Sequence, residues 1–230
     1  MIVKVPADAR YEIKFVAHEL EYHRLLLWIR QHPSCFFNEY PDRQVNNVYF
    51  DSHNYRSYDD NISGSSSRIK VRYRWYDSSI QPAKGRLEIK CKRNQFSWKM
   101  IYDVDKVFAG KEKSWREMQT DLIEQLPMEA RQWLTANPLP VLINRYHRKY
   151  FRTRNDDVRV TLDSDLRIFD QTRNPYPNYS IKANIPKTFV LEVKFPRDHR
   201  NKASQIIRDI PIRVSRHSKY IVGFNSINEF

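Results

Sequence analysis

The sequence predicts an α+β fold in which antiparallel strands curl into a barrel around a charged tunnel, with helices packed outside. Three observations carry this. The first is Arg68 to Tyr76, R-I-K-V-R-Y-R-W-Y. In a strand, successive side chains point to opposite faces, so Arg68, Lys70, Arg72 and Arg74 share one face and Ile69, Val71, Tyr73 and Trp75 the other. The second is a recurring triplet: E-I-K at Glu12 to Lys14, E-I-K at Glu88 to Lys90, and E-V-K at Glu192 to Lys194. Each puts a carboxylate and an amine on one face around a β-branched residue. The third is the spacing of these strands, with helical stretches between them.

Taken in order, Ala9 to Phe15 alternates as a strand, with Arg10, Glu12 and Lys14 on one face. The stretch from Ala17 to Gln31 reads as a helix whose apolar stripe includes Leu20 and Leu27, with Pro33 beyond its end as a stop. Gln44 to Asp51 is a second strand, and Ser52 to Gly64 is polar and turn-rich. After the basic strand, Asp77 to Gly85 holds a Pro and a Gly and reads as a hairpin connection. Arg86 to Lys92 alternates again, and Lys99 to Val104 is a further strand. Glu112 to Ala136 is helical, broken at Pro127. Val141 to Arg152, Val158 to Asp163 and Phe189 to Phe195 are strands; Lys202 to Asp209 is a short helix. The tail from Arg213 to Phe224 is basic and contains S-R-H-S-K-Y. The whole chain, 1–230, reads as a single domain.

The formal charge of +13 and pI near 9.7 point to an anionic partner. Cys35 and Cys91 make no disulfide framework and have no metal-ligand spacing; reduced thiols fit a cytoplasmic protein. The N-terminus lacks the apolar core of a signal peptide, and no run approaches ~18 apolar residues. The only glycines are Gly64, Gly85, Gly110 and Gly223. Neither G-x-x-x-x-G-K-[ST] nor G-x-G-x-x-G can be written from them, so phosphate binding here has to use side chains. His18, His23 and His147 have no ligand spacing.

Any one of these strands is ordinarily read as half-buried, with its polar face in water. The set differs, because the polar faces carry long Arg, Lys and Glu side chains and little Ser, Thr or Gln. A sheet curled into a barrel turns those faces inward. Desolvating unpaired charge costs several kcal/mol, so such a lining needs pairing or an anionic ligand. Arg offers a bidentate fork to phosphate oxygens and Lys a point charge. Carboxylates repel phosphate directly and make sense there as ligands for Mg²⁺ or Mn²⁺. Phosphoryl transfer relies on positioning and charge stabilisation, which suits a chain without a Ser-His-Asp set.

At these residues the chain resembles the VTC domain, the polyphosphate polymerase branch of the triphosphate tunnel metalloenzymes, which include CYTH-type enzymes. The matching segments are R-Y-E-I-K-F, N-N-V-Y-F-D-S-H-N-Y-R-S-Y, R-I-K-V-R-Y-R-W-Y, R-L-E-I-K-C-K-R, N-R-Y-H-R-K-Y-F, V-R-V-T-L-D-S-D-L, F-V-L-E-V-K-F and S-R-H-S-K-Y, in the family's order over about residues 10–224. The resemblance implies transfer of the terminal phosphate of ATP onto polyphosphate with Mn²⁺ or Mg²⁺. It implies that Lys14, Arg72, Arg74, Lys90, Arg148 and Lys219 are the catalytic cations. Lys99, Tyr146, Arg159, Arg216 and Ser218 would bind substrate, Arg216 standing where a lysine is usual. Glu192 matches the metal-binding carboxylate; Glu12 and Glu88 stand between metal binding and ion pairing, and Asp163 reads as structural.

The same tunnel is compatible with hydrolysis of tripolyphosphate or with polyphosphate binding alone. Single-stranded nucleic acid fits poorly. Stacking needs aromatic and basic groups on one surface, and strand alternation separates them here.

Overall fold

A computed structural model describes residues 4–82, 84–105, 113–155 and 158–228. Its strands are β1 (Arg10–His18), β2 (Phe37–Asn38), β3 (Arg43–Asp51), β4 (Ser67–Trp75), β5 (Gly85–Arg93), β6 (Phe96–Val104), β7 (Leu139–Arg152), β8 (Arg159–Asp170) and β9 (Thr188–Phe195). The helices are α1 (Tyr22–Gln31), α2 (Arg56–Ile62), α3 (Trp115–Gln125), α4 (Met128–Ala136), α5 (Arg200–Arg208) and α6 (Lys219–Asn228). The sheet runs β2-β7-β3-β4-β5-β6-β1-β9-β8, and β8 pairs back onto β7. Eight antiparallel strands therefore close in a ring, with β2 attached to the end of β7. None of the helices among the described residues is long and apolar enough to cross a membrane.

Alternation decides what each wall holds. The apolar phase of β4 and β5, with Tyr73, Trp75, Leu87 and Ile89, packs against Trp115, Met118 and Leu122 of α3 and Leu134 of α4. On the opposite wall, Phe15, Leu191 and Val193 pack against Leu25 and Ile29 of α1 and Ala203 and Ile206 of α5. The charged phase faces inward, where side chains from strands that are not neighbours meet: Arg74 of β4 reaches Tyr146 of β7, and Lys90 of β5 reaches Glu12 of β1. Gly85 is needed where β5 crosses close to β4, since a Cβ there would lie 2.2 Å from the Arg74 carbonyl oxygen.

Ladder register sets like charges opposite one another, Lys70 against Lys90, Arg74 against Arg86 and Lys90 against Lys99. Such pairs are destabilising. Arg72 against Glu88, Lys14 against Glu192, Glu12 against Lys194 and Arg148 against Asp163 oppose charges of different sign on inward rungs of β4–β5, β1–β9 and β7–β8. The remaining compensation has to come from across the ring.

Several elements depart from expectation. The helix anticipated from Ala17 begins only at Tyr22, because β1 stays paired to β9 through His18 and a 3-10 turn, Glu19–Glu21, intervenes. Leu20 and Leu27 are 81% and 54% exposed, and Leu25 and Ile29 form the buried stripe instead. The polar stretch after Asp51 contains α2, whose first turn is capped from outside: Asp51 Oδ1 accepts from Ser57 N at 2.9 Å and Oδ2 from Tyr58 N at 3.2 Å. β8 continues past Asp163 to Asp170, and the basic tail ends in α6. The expected helical stretch is two helices, α3 entered through a Ser114–Glu117 capping box; Glu112 lies outside the described residues.

Helix α6 packs Tyr220 and Ile227 against Tyr49, Leu142 and Ile168, at one end of the ring's inner face. It is fastened there by Tyr220 Oη donating to Asp51 Oδ2 at 2.5 Å and by Tyr58 Oη donating to Asn225 Oδ1 at 2.9 Å.

Candidate functional site

The inward charges fall into three groups. In the first, Glu88 on β5 is 1% exposed and serves three cations. Arg72 Nε donates to Glu88 Oε2 at 2.8 Å and its Nη2 donates to the same oxygen. Arg74 Nη1 lies 3.5 Å from Oε1 and Lys99 Nζ 3.4 Å from Oε2. The two arginines are aimed by neutral groups: Arg72 Nη1 donates to Tyr49 Oη at 3.0 Å, Arg74 Nε to Asn47 Oδ1 at 2.7 Å, and Arg74 Nη2 to Tyr146 Oη at 3.2 Å. Asn47 is held in turn by Asn144, at 2.7 Å.

In the second group Glu12 and Glu192 converge on Lys14, whose Nζ lies 3.3 and 3.4 Å from them and donates to the His217 carbonyl at 2.9 Å. Lys90 Nζ donates to both oxygens of Glu12, at 2.8 and 3.1 Å, and Lys194 Nζ to Glu192 at 2.7 Å. In the third, Asp163 receives a bidentate fork from Arg148, at 2.5 and 2.6 Å, and Lys219 Nζ at 2.5 Å. Arg148 Nη2 also lies 3.7 Å from Glu192, joining the last two groups.

Burial pushes these carboxylates toward protonation, but the cations win. Lys90 and Lys14 hold Glu12 well below its ordinary value, Lys194 and Lys14 do the same for Glu192, and Arg72 and Arg74 for Glu88. The lysines divide by partner count. Burial lowers Lys14, yet two carboxylates more than restore it. Lys90 touches Glu12 alone and is brought down to about 8, by burial first. Lys70 donates to Ser218 Oγ at 2.8 Å and is held well below its usual value by burial and by Lys14, Lys90 and Arg68. Nine basic side chains (Lys14, Lys70, Arg72, Arg74, Lys90, Lys99, Arg148, Lys194 and Lys219) thus face four carboxylates (Glu12, Glu88, Asp163 and Glu192), an excess of five basic groups on one enclosed face, and their crowding also holds Lys99 well below its usual value, by burial first.

Of the residues named from sequence, Lys14, Arg72, Arg74, Lys90, Lys99, Tyr146, Arg148, Glu12, Glu88, Glu192 and Lys219 lie on the inner face, divided among the three groups. Ser218 joins through Lys70, and its Oγ also accepts from Ile221 N at 3.4 Å, in the first turn of α6. Arg159 stands off at the ring's edge, 3.5 Å from Glu39. Arg216 is exposed and near Lys92 in charge. Glu88 does not join Glu12 and Glu192; its contacts are all with cations. Sequence reasoning passed over Lys70, Lys194, Tyr49 and Asn47 as site residues. Lys194 shares a strand phase with Glu192 and Lys70 with Arg72, which was the available signal; β3, which carries Tyr49 and Asn47, held no site residue named from sequence.

Among the described residues, no three His, Cys, Asp or Glu side chains are arranged to hold a metal ion. Glu12 and Glu192 do converge on one cation, Lys14 Nζ. Two carboxylates suit a hard divalent ion that completes its shell with substrate phosphates.

His217 sits beside Lys219 and Lys14. Burial, then those two ammonium groups, bring its imidazole down to about 3. The unfolded chain takes that proton near pH 6.5 and the fold refuses it, so stability is lost as pH falls from 6.5. The expected loss is roughly 2 kcal/mol between pH 7 and 5, above the carboxylate range. His217→Gln should flatten this slope in urea titrations; an unchanged slope refutes the assignment.

The family model of the VTC domain matches residues 9–228. No curated protein sequence matches the chain. Among solved structures, a candidate adenylyl cyclase from Hippeastrum, described as having a dominant triphosphatase activity, superposes with a TM-score of 0.58 at 18% identity, covering 96% of this chain and 97% of that one. A candidate adenylate cyclase from Vibrio parahaemolyticus gives 0.51 at 10% identity, covering 94% and 98%. At those identities the likeness is one of fold, whereas the family match spans nearly the whole sequence: the chain belongs to the VTC domain family.

Proposed function

We propose that the ring is a tunnel for linear phosphate chains, and that the protein transfers the γ-phosphate of ATP onto a growing polyphosphate. The observation that carries this is the excess of basic over acidic side chains on the enclosed face, nine against four, with all nine on strands except Lys219 of α6. Folding alone does not reward such a surplus, because like charges kept out of water repel. A triphosphate supplies the missing negative charge.

In this reading Arg72 and Arg74 present their forks to the phosphates, already aimed by Tyr49, Asn47 and Tyr146. Lys14, Lys90, Arg148 and Lys219 supply further positive charge where it develops on the transferring group. Glu12 and Glu192 are the residues that would hold a divalent ion, Mn²⁺ or Mg²⁺, with Lys14 yielding its place between them. When bound, the ion neutralises charge on the phosphate oxygens.

The state of the carboxylates suits an acceptor that needs no general base, while a divalent ion on Glu12 and Glu192 would serve transfer to water as well. Glu12, Glu88, Asp163 and Glu192 are all held below the ordinary carboxylate range, which makes them poor general bases for water. A phosphate acceptor is already ionised and needs none. Tripolyphosphate hydrolysis is the second reading, favoured by the activity named for the Hippeastrum protein.

Incubation with ATP and Mn²⁺ separates the readings. Long polyphosphate supports the polymerase, orthophosphate from tripolyphosphate the hydrolase, and tight binding without turnover a binding module. Tripolyphosphate at 100 times its dissociation constant should stabilise the fold by about 2.7 kcal/mol, an upward Tm shift of roughly 5–10 °C. No shift at saturation refutes an enclosed anion site.

A further inference from the structure

At the end of the ring away from α6 lies a second basic feature that the three inner groups do not use. Arg43 opens β3, and Asp51, which fastens α6, closes it. The two are eight residues apart, about 26 Å along the strand. Arg43 has the inward phase of β3, shared with Asn47 and Tyr49, and pairs in register with Arg148. Its guanidinium carbon lies 4.8 Å from the ring centre of Tyr40, 5.6 Å from Tyr76 and 5.7 Å from Tyr150. Tyr40 and Tyr150 meet edge to face at 5.5 Å.

Two of these tyrosines lead back to the inner site. Tyr150 also lies under Arg148, at 5.9 Å. Burial pushes the Tyr76 hydroxyl up, but Arg74 and then Arg86 bring it below its ordinary value.

Among the described residues the Arg43 guanidinium has no hydrogen-bond acceptor and no ion-pair partner. The nearby carboxylates are committed elsewhere: Glu39 to Arg152 and Arg159, Asp42 to Lys149, and Asp103 to Arg86. Aromatic rings engage the faces of a guanidinium, and its N–H donors radiate from the edge in a fork suited to phosphate. A half-buried arginine held by its faces, with its edge unused, is a pre-oriented anion site.

We propose that Arg43, held by Tyr40, Tyr76 and Tyr150, is an outer phosphate subsite that takes groups of a linear polyphosphate beyond the three bound at Arg72 and Arg74. The proposal rests on the tunnel reading above and deepens it. A triphosphate centred on Arg72 and Arg74 stops short of the Arg43 rung, whereas a longer chain continues past Arg148 to reach it. The subsite therefore discriminates by chain length.

Calorimetric titration at physiological salt tests this with two probes, tripolyphosphate and polyphosphate of several tens of units. Arg43→Ala should weaken the long chain about tenfold, the size of one charge-assisted hydrogen bond. Tripolyphosphate affinity should stay within about twofold. Arg43→Lys should recover only part of the loss, because an ammonium lacks the fork. Arg56→Ala, at a side chain 80% exposed on α2, controls for net charge and should change neither affinity. Wild-type protein that binds both probes while Arg43→Ala binds them unchanged, or weakened equally, overturns the outer subsite alone. Wild-type protein that binds neither probe overturns the tunnel reading and the subsite with it.

Discussion

Arg74→Ala is expected to lower turnover of ATP at least 100-fold while the chain still folds. Removing one pre-aimed donor from a site of developing charge costs about 10²–10³ in rate, and Arg74 is aimed by two neutral partners, Asn47 and Tyr146. The fold tolerates the loss because Glu88 keeps Arg72 and Lys99, and a like-charge contact between Arg72 and Arg74 is relieved. Arg74→Lys keeps the charge but loses the fork, and should recover only part of the rate. Rate assays beside urea titrations check both halves. Undiminished turnover in Arg74→Ala removes this residue from the mechanism, and an unfolded variant refutes the compensation argument.

Glu88→Gln has the opposite profile. It leaves Arg72, Arg74 and Lys99 around a neutral amide in a buried place, and breaking a buried ion pair from one side costs about 3–5 kcal/mol. Much of that loss should return on adding tripolyphosphate, since the ligand then supplies the only negative charge near those cations. The variant's Tm should therefore respond more steeply to tripolyphosphate than the wild type's. A Glu88→Gln protein as stable as wild type, with an unchanged ligand response, shows that Glu88 is not what balances the three cations.

Alternation made most of this architecture legible. In β4 the order R-I-K-V-R-Y-R-W assigns each residue to a wall, and the observed strand has Arg72 and Arg74 inside with Tyr73 and Trp75 outside. What alternation cannot encode is which strands face each other across the ring. Glu88 and Glu12 look alike in their E-I-K triplets, yet one meets three cations of its own sheet neighbourhood and the other reaches two lysines beside Glu192. The helices failed for local reasons. α2 is capped by Asp51 through a left-handed Tyr55 (φ 52°), not by its own N-cap side chain. α6 buries Lys219 and Tyr220 in its first turn, so its sequence has no clean polar and apolar faces. In the first helix, Leu20 fits the apolar period but falls in the turn before it.

Ring closure also dictates when during folding the interior exists. β1 finds its β9 partner about 180 positions later, as Ile13 pairs with Val193 and Lys14 with Glu192, and Lys14 then bonds the His217 carbonyl at a separation of 203. Contacts of such long sequence separation are slow to form, which places chains of this topology toward the millisecond-to-second end of folding rates. The earliest strand synthesised waits for nearly the last, its ladder edge open meanwhile. The rungs that end the wait are those that set Glu12, Lys14 and Glu192 side by side, so a folding intermediate short of that step lacks this carboxylate–lysine cluster.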